Sequence, residues 1–345
     1  MPPRLAAHYT TPVRRLLLFL ILILALGAAL AGAAAWWAQQ PLTLAQERIE
    51  FDVPRGTSVR AAARRIEAAG VKVPAEWLHL YFRWAGRKQT IKAGEYEVLR
   101  GTTPAGLLDK LIRGERIVRT VTLLEGWTFD QVRGALAQAN RLEQDTVDLS
   151  PAEIMDALGQ AGVSPEGRFF PDTYHYTSET SDLDLLRQAM AMMQQKLSAA
   201  WQQREPNLPL RSPDEALILA SIVEKETGRA ADRAEVAGVF INRLRKGMPL
   251  QTDPTVIYGV GNAYTGRLTR NHLQTDTPYN TYTRRGLPPT PIALPGQAAL
   301  AAAVQPAATR SLYFVSRGDG SSHFSETLDE HNRAVNKYQR GGGSR

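Results

Sequence analysis

The 345-residue sequence contains no cysteine, which excludes disulfide bonds, thiolate metal ligands and a cysteine nucleophile. Both cytosolic and periplasmic proteins can lack cysteine, so this absence does not identify the compartment. The six histidines are scattered and form no H-E-x-x-H pattern, which argues against a metal hydrolase. There is also no G-x-S-x-G, so a serine nucleophile is unsupported. The sequence therefore predicts neither a metal nor a cofactor.

A strong net charge is lacking as well. The formal charge is +7, and Arg4, Arg14 and Arg15, which precede an apolar segment, contribute three of these positive charges. The remainder of the chain is only mildly basic. Such a balance suits an anionic polymer or a membrane surface, and no nucleic-acid partner is predicted.

Charged residues are absent from Leu16 to Ala38. As a helix this segment would span roughly 34 Å, which is enough to cross the hydrocarbon core of a bilayer. Arg14 and Arg15 precede the segment, and two tryptophans, Trp36 and Trp37, lie at its far end, which places the N-terminus in the cytoplasm. A cleaved signal peptide is the alternative, but the apolar run is long for one.

The sequence thus predicts an α+β protein anchored in the cell inner membrane by a single span, with nearly all of the chain in the periplasm. Residues 1–15 are assigned to the cytoplasm and 39–48 to a linker. A region of small α+β modules is predicted over 49–140 and a further domain over 141–340. The last five residues, 341–345, are predicted to be a flexible tail.

A strand, a glycine turn and a helix recur three times, in "IEFDVPRGTSVRAAARRIEAAG", "YEVLRGTTPAGLLDKLIRGE" and "VTLLEGWTFDQVRGALAQAN". The glycines permit tight turns. Threonines stand where helix N-caps belong: Thr57, Thr102 or Thr103, and Thr128. Residues 49–117 resemble a LysM-like domain in element order and in "VPRGTS", and such domains bind N-acetylated glycans. A structural spacer is the alternative.

Aromatic residues of this region offer a possible glycan contact. They are Trp77, Tyr81, Phe82 and Trp84. Their rings could stack on sugars, although an aromatic helix face more often belongs to a core.

The stretch "LILASIVEKETG" from Leu217 reads as an apolar helix that carries two glutamates. On a wheel of about 100° per residue, the apolar face runs from about 100° to 240° and contains Ile218, Leu219, Ile222 and Val223. Glu226 falls near 180°, within that face. Glu224 falls near 340°, which predicts a solvated or supporting carboxylate. Gly228 is predicted to cap the helix.

A carboxyl group in apolar surroundings has a raised pKa and can stay protonated near neutral pH. General acid catalysis at a glycosidic oxygen requires such a group. The simpler interpretation is a glutamate at a helix end that pairs with a nearby Arg or Lys. For an isolated glutamate that pairing would be the expected role, but Glu226 stands at the helix C-terminus just before Gly228, where a cleft is expected to open.

Several longer motifs resemble those of a known protein family. "LASIVEKET", "VFINRLRKGMPLQTDPTVIYG", "YNTYTRRGLPPTPIALPG" and "LYFVSRGDGSSHFSETLDEHN" follow "FFPDTY" in the order and spacing of the YceG-like family, the endolytic murein transglycosylases. The match covers residues 166–332. The Glu-Thr at the helix end also resembles the Glu-Ser of lysozyme-like lytic transglycosylases, which again selects Glu226.

The resemblance implies a lysozyme-like catalytic domain that cuts the β-1,4 bond between N-acetylmuramic acid and N-acetylglucosamine within glycan strands. Glu226 would act first as acid and then as base, leave a 1,6-anhydro end, and so terminate strand elongation. The implied partners are peptidoglycan strands, the inner membrane and peptidoglycan synthases.

Further polar residues of these motifs are predicted to bind substrate: Glu224, Gln251, Thr252, Asp253, Asn280 and Tyr282. Asp253 precedes a proline and is expected to be extended or in a turn. Two alternatives stay open. A muramidase-type hydrolase would use Asp253 or Glu224 as a second carboxylate, and a non-catalytic scaffold would need no acid at all.

Overall fold

The computed structural model describes residues 11–86 and 89–340. The predictions for the first ten residues and for the tail at 341–345 lie outside the described residues. The chain forms two compact units, Met1–Val118 and Arg119–Arg345. The described residues form a mixed α+β structure that is mostly helical, with three two-stranded antiparallel sheets.

The elements of unit 1 are α1 (Thr11–Ala38), β1 (Arg48–Val53), α2 (Val59–Ala68), α3 (Ala75–Ala85), β2 (Gly94–Leu99) and α4 (Pro104–Arg113). β1 pairs with β2, so that Phe51 lies opposite Tyr96. Alternate residues of β1 are buried, as expected for a sheet with one face on a core. Apolar side chains of α2, α3 and α4 complete that core.

Helix α1 contains the predicted span. The segment Arg14–Ala38 has a mean hydropathy of 2.8, and every side chain from Arg14 to Trp36 is exposed. The segment is long and apolar enough to cross a membrane. Little of it is buried in the protein. Its length and composition fit a single-pass anchor or a signal sequence.

The repeated pattern forms a strand, a turn and a helix in all three copies, as predicted. In the first copy the N-cap is Ser58, whose hydroxyl accepts a hydrogen bond from the Ala61 N–H, and not Thr57. Thr103 and Thr128 are the caps of the other two helices. The third copy lies in unit 2 rather than with the first two, because its strand pairs with a strand beyond residue 170.

The elements of unit 2 are β3 (Arg119–Thr122), α5 (Phe129–Ala137), α6 (Pro151–Ala157), β4 (Thr173–Tyr176), α7 (Asp182–Gln202), α8 (Pro213–Glu226), α9 (Ala230–Arg245), α10 (Asp253–Val260), α11 (Arg270–Gln274), α12 (Gln297–Val304), β5 (Tyr313–Ser316), β6 (Ser322–Ser325) and α13 (Leu328–Val335). A short 3-10 turn (Gly261–Ala263) follows α10, and a π-helical turn (Asn336–Arg340) follows α13. β3 pairs with β4, and β5 pairs with β6.

Helix α8 is the centre of the larger core of unit 2. It packs against α7, α9, α10 and α12, and all residues from Ala216 to Val223 are buried. The wheel predicted one apolar face and one polar face, and that is wrong. The helix is covered on all sides, since even the hydroxyl of Ser221 is buried and bonded to the Ile218 carbonyl and the Ile292 N–H.

The proline-rich segment before α12 connects the two cores of unit 2. Ile292 lies in the core around α8, and Leu294 lies in the second core beneath β3 and β4. Three of its prolines, Pro288, Pro291 and Pro295, are buried with them. Because proline fixes φ, the segment can pass between the two cores without regular hydrogen bonding.

Candidate active site

Glu226 is the last residue of α8. The helix ends there because Thr227 is extended, with φ −144° and ψ 125°. The predicted cap Gly228 does not adopt the left-handed conformation, so that expectation is wrong. Thr227 instead accepts a hydrogen bond from the Arg229 N–H at 3.1 Å. This abrupt end leaves the Glu226 carboxyl at the edge of the buried helix.

Among the residues that the structure describes, the Glu226 side chain has one direct hydrogen-bond partner, the hydroxyl of Thr252, which donates to its Oε1. The residue is only partly exposed. Burial raises the pKa of Glu226 to about 7, because the apolar surroundings disfavour the charged carboxylate. The hydrogen bond from Thr252 and the Arg243 charge lower the pKa, and the Asp253 charge raises it.

Thr252 is held in place by backbone contacts. Its N–H donates to the Thr281 hydroxyl at 3.1 Å, and the Gln251 N–H donates to the Thr281 carbonyl at the same distance. Gln251 has a positive φ of 51°, a conformation that costs a non-glycine residue free energy. The chain turns sharply here and directs the Thr252 hydroxyl at Glu226.

Asp253 begins α10, with Thr252 at the N-cap and Pro254 in the first turn. The predicted extended or turn conformation is therefore wrong, because proline is well tolerated in the first helical turn. The exposed Asp253 carboxylate accepts a hydrogen bond of 2.5 Å from the Tyr282 hydroxyl. Burial, and then this contact, raises the pKa of Tyr282. Asp253 and Tyr282 thus form a polar pair beside Glu226.

Asn280 is placed differently from the prediction. It is 1% exposed, and its amide nitrogen donates to the backbone carbonyls of His272, Leu273 and Thr275. Its Oδ1 accepts from the Tyr282 N–H at 2.9 Å. The amide is fully used in shaping this loop, so direct contact with substrate is not supported. Asn280 holds Tyr282 in position.

The wheel predicted a solvated or supporting carboxylate at Glu224, and the structure does not show a solvated one. Its side chain is 7% exposed, and its Oε2 accepts a hydrogen bond of 3.0 Å from the Gly296 N–H. The Arg233 guanidinium lies 3.9 Å from its Oε1. Burial raises the pKa of Glu224, and the negative charge of Glu125 raises it further. Glu224 therefore ties the end of α8 to the start of α12.

Arg243 was not identified from the sequence. It lies on α9 and is 8% exposed. Its guanidinium donates to the Leu312 carbonyl at 2.7 Å, to the Leu250 carbonyl at 2.9 Å and to Gln251 Oε1 at 3.3 Å. It also lies over the Tyr313 ring at 5.1 Å. A signal was present, because Arg243 continues the apolar stripe of Val236 and Phe240 at helical spacing.

Glu166 was also missed. It is 5% exposed, and both carboxyl oxygens accept hydrogen bonds from the Phe129 N–H. The Tyr258 hydroxyl donates to Oε2 at 3.2 Å. Burial raises the pKa of Glu166 to about 7. Its contacts join the start of α5 to α10, the helix that begins next to Glu226, so Glu166 supports the site from a distance.

The site is therefore built from α8, the turn that begins α10 and the loop around residue 280. It brings together Glu226, Thr252, Asp253 and Tyr282, and Gln251 contacts it through Arg243. Among residues 11–86 and 89–340, no group of three or more His, Asp or Glu side chains is arranged to hold a metal ion.

Residues 51–337 match the model of the YceG-like family. The chain is 30% identical to the endolytic murein transglycosylase of Bacillus subtilis (strain 168), over 84% of each chain. It is 27% identical to the endolytic murein transglycosylase of Streptococcus pneumoniae (strain D39), over 83% of this chain, and spans 58% of that longer relative.

Its fold is also similar to the crystal structure of a YceG-like protein from Listeria monocytogenes. That structure has a TM-score of 0.51 and 28% identity and covers 83% of this chain and 98% of its own. The family match includes α8, α9, α10 and the 280 loop, which are the elements that hold Glu226. This chain belongs to the YceG-like family.

Proposed function

We propose that this protein is an endolytic peptidoglycan transglycosylase in which Glu226 is the catalytic acid and base. The observation that carries the proposal is the Glu226 carboxyl, partly exposed at the end of a buried helix, with a pKa raised to about 7. A group with that pKa can both give and take a proton near neutral pH. The names of the bacterial relatives supply the substrate class.

In the first step the protonated Glu226 donates its proton to the oxygen that links N-acetylmuramic acid to N-acetylglucosamine. The bond between that oxygen and C1 of the muramyl residue breaks, and the N-acetylglucosamine leaves as an alcohol. The positive charge that develops at C1 is stabilised by the acetamido oxygen of the same muramyl residue. No protein nucleophile is needed for this step.

In the second step the Glu226 carboxylate accepts the proton of the muramyl 6-hydroxyl, whose oxygen attacks C1. The product is a 1,6-anhydro ring, and Glu226 is protonated again. Water is not consumed, so the reaction is a transfer within the strand. The Thr252 hydroxyl stabilises the carboxylate between the steps, because a hydrogen bond to the charged form favours that form.

The Asp253–Tyr282 pair and Gln251 are proposed to contact the sugar groups beside the cleaved bond. Asp253 is exposed and its carboxylate can accept from a sugar hydroxyl while it holds Tyr282. Its negative charge also raises the pKa of Glu226, which keeps the acid protonated. The positive charge of Arg243 lowers the pKa of Glu226 and so limits that rise.

A muramidase is the alternative, because Asp253 is a second carboxylate next to Glu226. The test is mass spectrometry of purified murein digested with the full-length protein in detergent. Transglycosylation gives muropeptides with anhydro ends, which are lighter than reducing-end products by one water. Release of reducing ends only would contradict the proposal in favour of hydrolysis, and no release would favour a scaffold.

We further propose that α1 is an uncleaved anchor in the inner membrane and that unit 2 is a lysozyme-like catalytic domain in the periplasm. An anchored enzyme of this kind would meet glycan strands as membrane-bound peptidoglycan synthases produce them, and endolytic cleavage there would end their elongation. The element order of unit 1 supports the LysM-like interpretation, with glycan binding as its expected role.

A further inference from the structure

We propose that the exposed aromatic face of α3 binds the lipid surface of the membrane, as an interfacial helix beside the end of α1. The proposal rests on the anchor proposed above and adds a second point of membrane contact. It assigns the exposed aromatic residues of α3 to lipid and not to glycan.

The apolar surface of α3 is wider than its contact with the core of unit 1. Leu78 and Phe82 are buried in that core, and Tyr81, at the border, is partly buried and packs against it. On a wheel of about 100° per residue, a second cluster occupies an arc of about 100°. It consists of Trp77, Leu80, Tyr81 and Trp84, and we call it the α3 aromatic face. Packing against the core of unit 1 does not account for this second cluster, because a surface helix normally has one apolar face.

The α3 aromatic face is open. Trp77 is 58% exposed, Leu80 is 63% exposed and Trp84 is 55% exposed. An exposed apolar cluster of this size on a folded protein marks a surface that binds something. The remaining side of the helix carries Glu76 and Arg83, which are also exposed, so the helix has distinct polar and apolar surfaces toward solvent.

The position of the α3 aromatic face identifies its occupant. The Trp37 ring at the end of α1 packs edge-on against the Trp77 ring, with 6.0 Å between ring centroids, and against the Tyr81 ring at the same distance. Trp36 and Leu30 of α1 line the same groove, whose volume is about 820 Å³. The apolar surface of α1 therefore continues without interruption onto α3.

The end of a membrane span lies at the boundary between acyl chains and headgroups, where tryptophan and tyrosine are enriched. A helix held against that end by Trp37 must lie at the same depth. An amphipathic helix with Trp and Leu on one face and charged residues on the other binds in the plane of this boundary. Helix α3 has tryptophan and leucine on one face, charged residues on the other, and a contact with the end of α1.

The chemistry of the groove disfavours a glycan. Apart from the Tyr81 hydroxyl and the indole N–H groups, its lining consists of hydrocarbon side chains and aromatic rings. Sugars are recognised by several polar groups placed around an aromatic platform, and these are missing from the lining. Acyl chains and glycerol backbones need no such partners.

The absence of cysteine permits a direct test. Single cysteines are introduced at Leu80 on the α3 aromatic face, at Glu76 on the polar side of the same helix, and at Leu24 in the middle of α1. Each full-length variant is labelled with a fluorophore and reconstituted into vesicles of phosphatidylethanolamine and phosphatidylglycerol. Quenching by lipids with spin labels near the headgroup or deep in the acyl chain reports the depth of each position.

We expect the Leu80 site to be quenched severalfold more strongly by the shallow label than the Glu76 site, and the Leu24 site to be quenched best by the deep label. Equal quenching at Leu80 and Glu76, with normal quenching at Leu24, would overturn the proposal. Loss of quenching at Leu24 would overturn the anchor and this proposal together, while the murein digest tests the activity separately.

A second variant distinguishes lipid from glycan. Trp84→Ala removes an exposed ring that takes no part in the core of unit 1. We expect it to weaken quenching of the Leu80 label by shallow spin-labelled lipid and to leave co-sedimentation with insoluble murein unchanged. Reduced sedimentation with murein and unchanged lipid quenching would instead assign the face to glycan.

Discussion

Two glutamates in the last turn of α8 lie in different surroundings. The Glu226 carboxyl accepts a hydrogen bond from the Thr252 hydroxyl, whereas Glu224 is fixed by the Gly296 N–H and lies near Arg233. Glu226 is the proposed proton donor, whereas Glu224 joins the end of α8 to the backbone of Gly296. The difference predicts unequal effects of the same substitution.

Glu226→Gln keeps the shape of the side chain and removes the transferable proton. General acid–base catalysis contributes about 10²–10⁴-fold, and a residue that serves as both acid and base should lie at or above the upper end. We expect no detectable anhydro-muropeptide release from Glu226→Gln. Glu224→Gln can still accept from the Gly296 N–H and should lose about tenfold, or about 1.4 kcal/mol of barrier.

The measurement is muropeptide release by both purified variants beside wild type, after circular dichroism has shown that both fold. An inactive Glu224→Gln with an active Glu226→Gln would mean that the acid is assigned wrongly. Two active variants would exclude a catalytic role for this helix.

The pH dependence of the activity is expected to report the titration of the Glu226 carboxyl. Since Glu226 must be protonated to begin the reaction and its pKa is raised to about 7, kcat/KM should fall about tenfold per pH unit above that pKa. The hydrogen bond from Thr252 lowers the pKa. Thr252→Val removes the hydroxyl and should move this alkaline limb to higher pH.

Thr252→Ser is the matched control, because it retains the hydroxyl and should leave the limb where it is in the wild type. Rates are measured on solubilised murein at a series of pH values with constant ionic strength. A limb that does not move in Thr252→Val, or that moves equally in Thr252→Ser, would show that Glu226 is not the group that titrates.

The residues of the site differ in how far the sequence could reveal them. A carboxylate within a run of apolar residues is visible on a helical wheel, and this selected Glu226. The Thr252 contact could not be seen, because it joins positions 26 residues apart through the fold. Asn280 was misassigned since a buried amide that shapes a loop and an exposed amide that binds sugar have the same local sequence.

At the scale of elements, local signals predicted where helices begin. Thr103 and Thr128 cap α4 and α5 as expected. Pairing between distant strands was not predictable, because β3 finds its partner in β4 about fifty residues later. For the same reason the third strand–helix repeat was grouped with the first two. The predicted polar face of α8 was wrong because a helical wheel contains no information on how many elements surround a helix.

Glu166 links two elements and yields a stability prediction. Its pKa is raised from its ordinary value of 4.5 to about 7, so the stabilisation from its protonated form is fully present below about 4.5. It is lost as the pH rises through about 7, which costs at most about 3 kcal/mol. Glu166→Gln resembles the protonated form and should flatten the decline in stability between pH 5 and pH 8.

Urea unfolding of wild type and Glu166→Gln at a series of pH values measures this effect. The difference between the two proteins should become more favourable to Glu166→Gln as the pH rises. Glu205→Gln, a substitution at an exposed glutamate, is the control and should follow the wild type. A difference that is constant with pH, or that grows toward low pH, would contradict a raised pKa at Glu166.

At the scale of the whole molecule, the apolar segment and the charges before it predict the orientation in the membrane. The segment Arg14–Ala38 has the hydropathy of a span, and Arg14 and Arg15 stand at its N-terminal end. Positive residues are retained on the cytoplasmic side. The peptidoglycan proposed as the substrate of Glu226 lies on the periplasmic side of the membrane, so the proposed function requires this orientation.

We therefore expect alkaline phosphatase fused to the C-terminus to be active, because this reporter folds only outside the cytoplasm, and a fluorescent protein fused there to be dark after export in the unfolded state. The intact mass of the membrane-extracted protein should include α1, which distinguishes an anchor from a cleaved signal sequence. A bright fluorescent fusion together with an inactive phosphatase fusion would reverse the orientation. The catalytic unit would then face a compartment without peptidoglycan, and the proposed function would fail with it.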